Sequence, residues 1–153
     1  ASSPAIFRLD NSDYDIARIG IAMYGYVDLP INVKSPSLKP VLSLWSEKIS
    51  ERLVKKGKSV GYGQIFKAEK DMIISTYDIG YGNGFFRLDE NKRANICDGR
   101  EVIGRVSMNN LAIAGNDEEI CIFDNVENLA VVHQTISYEI LCRIDSMIER
   151  RVI

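Results

Sequence analysis

The chain has 153 residues, 46% of them hydrophobic, and a formal net charge of −2 from 19 basic and 21 acidic side chains. A chain of this length buries about 70% of its extended surface on folding, enough for one ordinary core, and the composition excludes a disordered chain. The balanced charge supplies neither a basic field for nucleic acid nor an acidic tail, and no apolar run approaches the ~20 residues of a membrane span.

In chain order, Ser3-Pro4-Ala5 places a capping residue before a proline at the first helical position, which predicts a short helix to about Leu9. Ile16 to Tyr26 is apolar and β-branched at several positions and reads as a buried strand. Asp28 to Pro40 holds three prolines among serines and reads as a linker. Leu42, Trp45, Ile49 and Leu53 recur at helical spacing, so periodicity alone predicts a helix there. Lys55, Lys56 and Lys58, with Gly57 among them, read as a solvated turn. Ile73 to Ile79 alternates as a strand does. Asn95-Ile96-Cys97 and Glu101 to Val106 flank Asp98-Gly99, a strong hairpin signal. Ile120 to Phe123 is a short strand, and Asn125 to His133 and Tyr138 to Ile144 have helical spacing. Many short strands with glycine turns indicate a barrel or sandwich.

Cys97, Cys121 and Cys142 are widely spaced and odd in number, without a CxxC pair. A disulfide framework is not expected from them, and reduced thiols in a cytoplasmic protein are. One histidine, His133, does not complete a zinc set with them, so no metal site is expected. His133 itself reads as a helix residue without a role.

Three glycine–tyrosine clusters carry the candidate chemistry: Tyr24-Gly25-Tyr26, Gly61-Tyr62-Gly63 and Gly80-Tyr81-Gly82-Asn83-Gly84. Glycine allows positive φ and the close approach of a ligand, and a tyrosine between two glycines has little local packing. Such a ring is either half-buried in a turn or a proton carrier. The second role requires its pKa of about 10 to be lowered by cations or hydrogen bonds. Arg18, inside the apolar run, is either one half of a structural ion pair or a donor to a ligand.

Five blocks resemble the alanine racemase family, in family order and with family-like spacing. They are Ala17 to Gly25, Lys56 to Phe66, Ile79 to Gly84, Val102 to Met108, and Thr135 to Ile144. Together they cover nearly the whole chain. The resemblance implies a pyridoxal-phosphate (PLP) enzyme that interconverts L- and D-alanine for peptidoglycan. Residues 1–36 then correspond to the last elements of a (β/α)8 barrel. Residues 37–153 correspond to a mainly β carboxy-terminal domain, a small closed Greek-key barrel with short helices. In the family the stretch matching Leu42–Lys56 is a strand, and strand is the expectation adopted here over helix. Taken without the rest of a barrel, residues 1–36 are expected to expose Ile19, Ile21 and Met23.

The resemblance also implies roles for single residues. Tyr62 matches the tyrosine that acts as acid/base on one face of the substrate Cα, reaching into the partner subunit of a homodimer. Arg18 matches the arginine facing the PLP pyridine nitrogen, which it cannot protonate because a guanidinium holds its proton too firmly. Ser3, Gly20, Ile21 and Tyr138 match the phosphate cradle, Gly20 and Ile21 through their main-chain amides. Met108 matches a residue whose amide holds the substrate carboxylate. Tyr81, Arg87 and Arg105 match the entrance channel. Without the resemblance, Met108 reads as a core filler, Ser3 as a helix cap, and Arg87 and Arg105 as surface charges.

The chain departs from the family's common pattern at Ser2, at Gly82-Asn83, where Ala-Asp is usual, and at Ser107-Met108-Asn109, where Cys-Met-Asp is usual. The lysine that anchors PLP lies in the amino-terminal part of family members, and no lysine here sits in a matching motif. The chain is therefore expected to be the carboxy-terminal portion of a racemase, inactive by itself. Rival readings are a racemase of serine or of a broader amino-acid range, a related barrel-fold decarboxylase, or a dimerisation or binding module that kept the fold and lost the chemistry.

Overall fold

The computed structural model describes residues 2–9, 13, 15–34, 36–88 and 93–152, and for Tyr62 the main chain alone. The chain divides into two compact units, residues 1–43 and 44–153.

The first unit is built from turns. Helix α1 (Ser3–Arg8) starts one residue earlier than the cap reading places it, with Ser2 as the capping position and Pro4 in the first turn. Ser3 is thereby freed for a tertiary contact. Residues 16–20 are irregular and exposed, and Ile21–Tyr24 form a 3-10 turn closed by Gly25. The expected strand over Ile16–Tyr26 is not present. A strand needs a neighbour for its main-chain groups, and these groups bond locally instead. The Met23 N–H donates to the Gly20 carbonyl (3.0 Å), and the Tyr26 N–H to that of Ile21 (3.3 Å). Arg18 consequently lies exposed in irregular chain and not inside an apolar strand. Ile19 and Met23 are exposed as expected, whereas Ile21 is buried. The proline-rich stretch 27–43 contains no helix or strand among its described residues.

The second unit is mainly β. Strand β1 (Leu44–Val54) pairs antiparallel with β4 (Met72–Tyr77) on one side and with β6 (Glu119–Phe123) on the other. Strand β5 (Leu111–Ala114) completes the sheet beyond β4. The order β5-β4-β1-β6 is that of a Greek key, in which the last strand returns beside the first. Strands β2 (Ser59–Val60) and β3 (Phe66–Lys67) form a separate small hairpin. Helices α2 (Val126–His133, capped by the Asn125 side chain) and α3 (Ser137–Arg143) follow, close to the spans read from the sequence.

Along β1 the side chains at helical spacing, Trp45, Ile49 and Leu53, are the exposed ones, while Leu44, Ser46 and Val54 are buried. The periodicity that favoured a helix belongs to the outward residues, and cross-strand pairing decides the element. A bulge between Lys48 and Ser50 bends the strand against β4.

The sheet curls toward closure without becoming a fully paired barrel. The Gly115–Glu118 link carries the chain between the two edge strands, with the Gly115 N–H on the Ile73 carbonyl (3.0 Å) and the Lys48 N–H on that of Glu118 (2.8 Å). The hairpin around Asp98-Gly99 touches both edges. Val102 bridges Ile113 on β5, and the Cys97 N–H donates to the Cys121 carbonyl on β6 (3.1 Å).

Cys97 and Cys121 are joined there by a disulfide, their Cα atoms 5.6 Å apart, and Cys142 is free and exposed. The expectation of three reduced thiols is corrected on this point. The turn at Asp98-Gly99 folds Cys97 back onto β6, a proximity that a sequence separation of 24 does not disclose.

The deepest core gathers Tyr77, Ile79, Leu111, Ile113, Ile122 and Ile140. A second cluster, Val54, Val60, Ala68, Ile74 and Ile103, fastens the β2–β3 hairpin to the sheet. Burying side chains of this size contributes about 1.5–3 kcal/mol each. Val60 and Ile103 each stand one residue before the main chain of the candidate site.

Candidate functional site

Tyr62 opens a 3-10 turn, Tyr62–Gln64, that leaves β2 through Gly61. Gly61 has φ 78° and ψ 176°, a conformation open essentially to glycine alone. The turn is seated by its neighbours. Gly104 and the Arg105 main chain lie beside Gly61, and the Arg105 guanidinium lies beside Gly63. The Tyr62 ring is outside the described part, but its turn is placed next to a cation. An open depression of about 630 Å³ beside the turn is lined by Arg52, Gly57, Lys58, Ser59, Gly61 and Gln64.

The second glycine–tyrosine turn, Tyr81–Asn83, is fastened to Ser107 and Met108. The Tyr81 N–H donates to the Ser107 carbonyl (3.1 Å) and the Gly82 N–H to that of Met108 (2.7 Å). Asn110 closes the facing loop: its N–H donates to Ser107 Oγ (2.9 Å), and its carbonyl accepts from the Ser107 N–H (2.9 Å). Met108 is more than half exposed, which removes the core-filler alternative, and Tyr81 is exposed too. Arg87 is an exposed residue just beyond this turn. Three sequence blocks thus converge in the second unit as two turn pairs, the Tyr62 turn with Arg105 and the Tyr81 turn with Met108. Tyr138, on α3, is exposed.

In the first unit Ser3 and Gly20 meet. Ser3 is buried, and its Oγ accepts from the N–H groups of Gly20 (2.9 Å) and Ala22 (3.5 Å). Ile21 lies between those two amides in sequence. Arg18 stands two residues before Gly20.

The sequence reading did not find three contacts. The Phe86 and His133 rings stack at 3.6 Å and 14°, and the Arg143 guanidinium lies 4.6 Å from the Phe86 centroid. His133 therefore has a packing partner that helical spacing alone did not indicate. Asn83 Oδ1 accepts from the Gly80 N–H at 3.0 Å. Arg100 joins Asp98 (2.7 Å) to Asp117 (2.6 Å), and the Arg100 guanidinium holds the Asp98 carboxyl below the usual carboxylate range.

The family profile described as "Alanine racemase, C-terminal domain" matches residues 41–152. The chain belongs to the alanine racemase C-terminal domain family. It is 48% identical over 150 residues to an alanine racemase of Nitratiruptor sp. and 39% identical over 152 residues to one of Campylobacter curvus. These matches take 98% and 99% of the chain but only 43% and 44% of those relatives, so the chain spans less than half their length. Among solved structures it is similar to the Bacillus anthracis alanine racemase with bound L-Ala-P. The TM-score is 0.78 at 26% identity, covering 95% of this chain and 42% of that one. The Bartonella henselae alanine racemase with covalently bound pyridoxal phosphate gives 0.74 at 26% identity, covering 95% and 44%.

The Gly20 and Ala22 N–H groups both end on the buried Ser3 Oγ. A serine oxygen that accepts two N–H groups keeps its O–H as a donor, which is the group a phosphate oxygen would require.

Proposed function

We propose that the protein carrying this chain is a PLP-dependent alanine racemase, acting as a homodimer in the cytoplasm and supplying D-alanine for peptidoglycan. The supporting observation is the 48% identity to an alanine racemase across nearly the entire chain, with the Tyr62 turn seated on Gly104 and Arg105. PLP, when bound, withdraws electron density from the substrate Cα and makes its proton acidic.

The chain's own residues divide the remaining work. Tyr62 holds or moves the proton on one face of Cα in the partner subunit's site. The opposite face is left to the PLP-anchoring lysine, which lies in the amino-terminal part of family members and in no motif of this chain. With PLP bound, Arg18 would be the residue at the pyridine nitrogen, and a guanidinium, which holds its proton firmly, would not protonate it. Ser3, Gly20 and Ile21 would hold the phosphate, and the part of Tyr138 in the phosphate cradle rests on the family resemblance alone. The Met108 amide orients the substrate carboxylate. Tyr81, Arg87 and Arg105 line the approach.

The test is Tyr62→Phe in the full-length protein, assayed from L-alanine and from D-alanine. Losing a general acid/base costs typically ~10²–10⁴-fold. Racemisation should fall by that order in at least one direction while PLP still binds. Near-normal rates both ways would remove Tyr62 from the mechanism, and a preference for serine or lysine over alanine would overturn the substrate assignment.

A further inference from the structure

The Gly80–Gly84 turn touches two parts of the second unit at once. On one side it meets the Ser107–Met108 main chain through the two hydrogen bonds given above. The approach is so close that a Cβ on Gly80 would fall 2.4 Å from both the Ser107 and the Met108 carbonyl oxygens. On the other side it meets the end of α3. The Asn83 carbonyl accepts from the Asp145 N–H (3.1 Å), and Gly84 lies against the Arg143 carbonyl. The Phe86 ring, against His133 and Arg143, packs the following residues onto the same two helices.

One side chain closes this turn. Asn83 Oδ1 accepts the Gly80 N–H (3.0 Å), and the Asn83 N–H donates to the Gly80 carbonyl (3.1 Å). With Gly80 tied at both its N–H and its carbonyl, the next two N–H groups, of Tyr81 and Gly82, point at the facing carbonyls. The Gly82 N–H that reaches Met108 thus belongs to a turn whose ends are tied together by Asn83.

We propose that Asn83 is a positioning residue: it locks the Gly80–Gly84 turn and, through the Gly82–Met108 hydrogen bond, sets the main chain that receives the substrate carboxylate. This rests on the role of Met108 given under the proposed function. Asn83 acts on substrate binding and not on the proton transfers. Its loss should therefore appear in KM more than in kcat.

The experiment compares Asn83→Ala, Asn83→Asp and Asn83→Gln in the full-length protein, by steady-state kinetics with alanine and by amide hydrogen exchange over residues 79–84. Asn83→Ala leaves the Gly80 N–H without its acceptor, so KM should rise roughly tenfold with kcat within about twofold. Exchange at Gly80, Tyr81 and Gly82 should accelerate. Asn83→Asp keeps the acceptor oxygen and should return both readouts to parental values. Asn83→Gln, reaching one methylene too far, should shift KM in the same direction as alanine and serves if the alanine variant does not fold. Unchanged exchange in both the alanine and glutamine variants, an aspartate variant no better than alanine, or a fall in kcat at constant KM would each overturn the proposal. A parent that does not racemise alanine would overturn the reading of Met108 instead, and the exchange comparison would still decide whether Asn83 locks the turn.

Discussion

The two Gly-Tyr-Gly turns of the second unit share three letters and are constrained in opposite ways. Around Tyr62 the glycines serve conformation. Gly61 sits where other residues are strained, yet a Cβ placed on it meets nothing closer than 3.7 Å. Around Tyr81 the first glycine serves space. Gly80, at φ −148°, has an extended conformation that any residue adopts, yet a Cβ there would collide with two carbonyl oxygens. The first turn rests on side-chain packing by Val60, Ile103 and Arg105, and the second on main-chain hydrogen bonds. One sequence motif thus records two physical demands, and the difference predicts how each turn fails.

The largest effect is expected at the spatial glycine. Gly80→Ala forces the Tyr81 turn off Ser107 and Met108, and the loss of both hydrogen bonds plus the overlap should cost about 4 kcal/mol. Removal of the disulfide comes next. The hairpin it anchors runs directly into Val102–Arg105, the segment that seats the Tyr62 turn. In the chain-entropy account a cross-link spanning 24 residues stabilises by about 3 kcal/mol. Cys121→Ala, or reduction of the native protein, should lower the melting temperature. It should also raise exchange in residues 59–64 more than in residues 80–84, and equal acceleration of the two turns would dissolve the contrast. Gly61→Ala follows at about 1–3 kcal/mol, the range for a residue held in a glycine-only region. It should change the Tyr62 turn without displacing Met108, and chemical denaturation of the three variants ranks them directly.

What was legible in the sequence follows the same division. Local signals could be read: the Asp98-Gly99 turn and the two short helices lie where turn residues and helical spacing place them. The strand over Leu44–Val54 was reached through family resemblance, because Trp45, Ile49 and Leu53 imitate a helix while facing outward. Ile16–Tyr26 was misread as a strand, since apolar β-branched composition does not supply the neighbour that a strand must bond. The Cys97–Cys121 pair and the Phe86–His133 stack depend on chain returns that spacing does not encode, whereas the Asn83–Gly80 bond is local and its letters went unread. The pairing of the Tyr62 turn with Arg105, and of the Tyr81 turn with Met108, was not legible: the family resemblance gave these residues separate roles and no contact between them.

The smallest expected effect tests the anchorage of the Tyr62 side by acid. Arg100 binds Asp98 within the hairpin and Asp117 in the link between β5 and β6, and it also donates to the Ala114 carbonyl (2.9 Å). Its hydrogen bonds hold the Asp98 carboxyl below its ordinary range. A carboxylate whose folded pKa is depressed contributes stability that is present above its unfolded value of about 3.9 and is lost as pH falls through the folded value. The pair is partly exposed, so solvent screening limits its contribution to well under about 1 kcal/mol. Melting temperature measured from pH 6 to pH 2.5 should fall more steeply in the parent than in Asp98→Asn, which lacks the titrating group. The hairpin should loosen within that window, and exchange in residues 59–64 should rise with it. If acid loosens residues 80–84 first, the anchorage of the Tyr62 turn lies elsewhere than in the Arg100 pair, and the packing of Val60 against Ile103 alone must hold it.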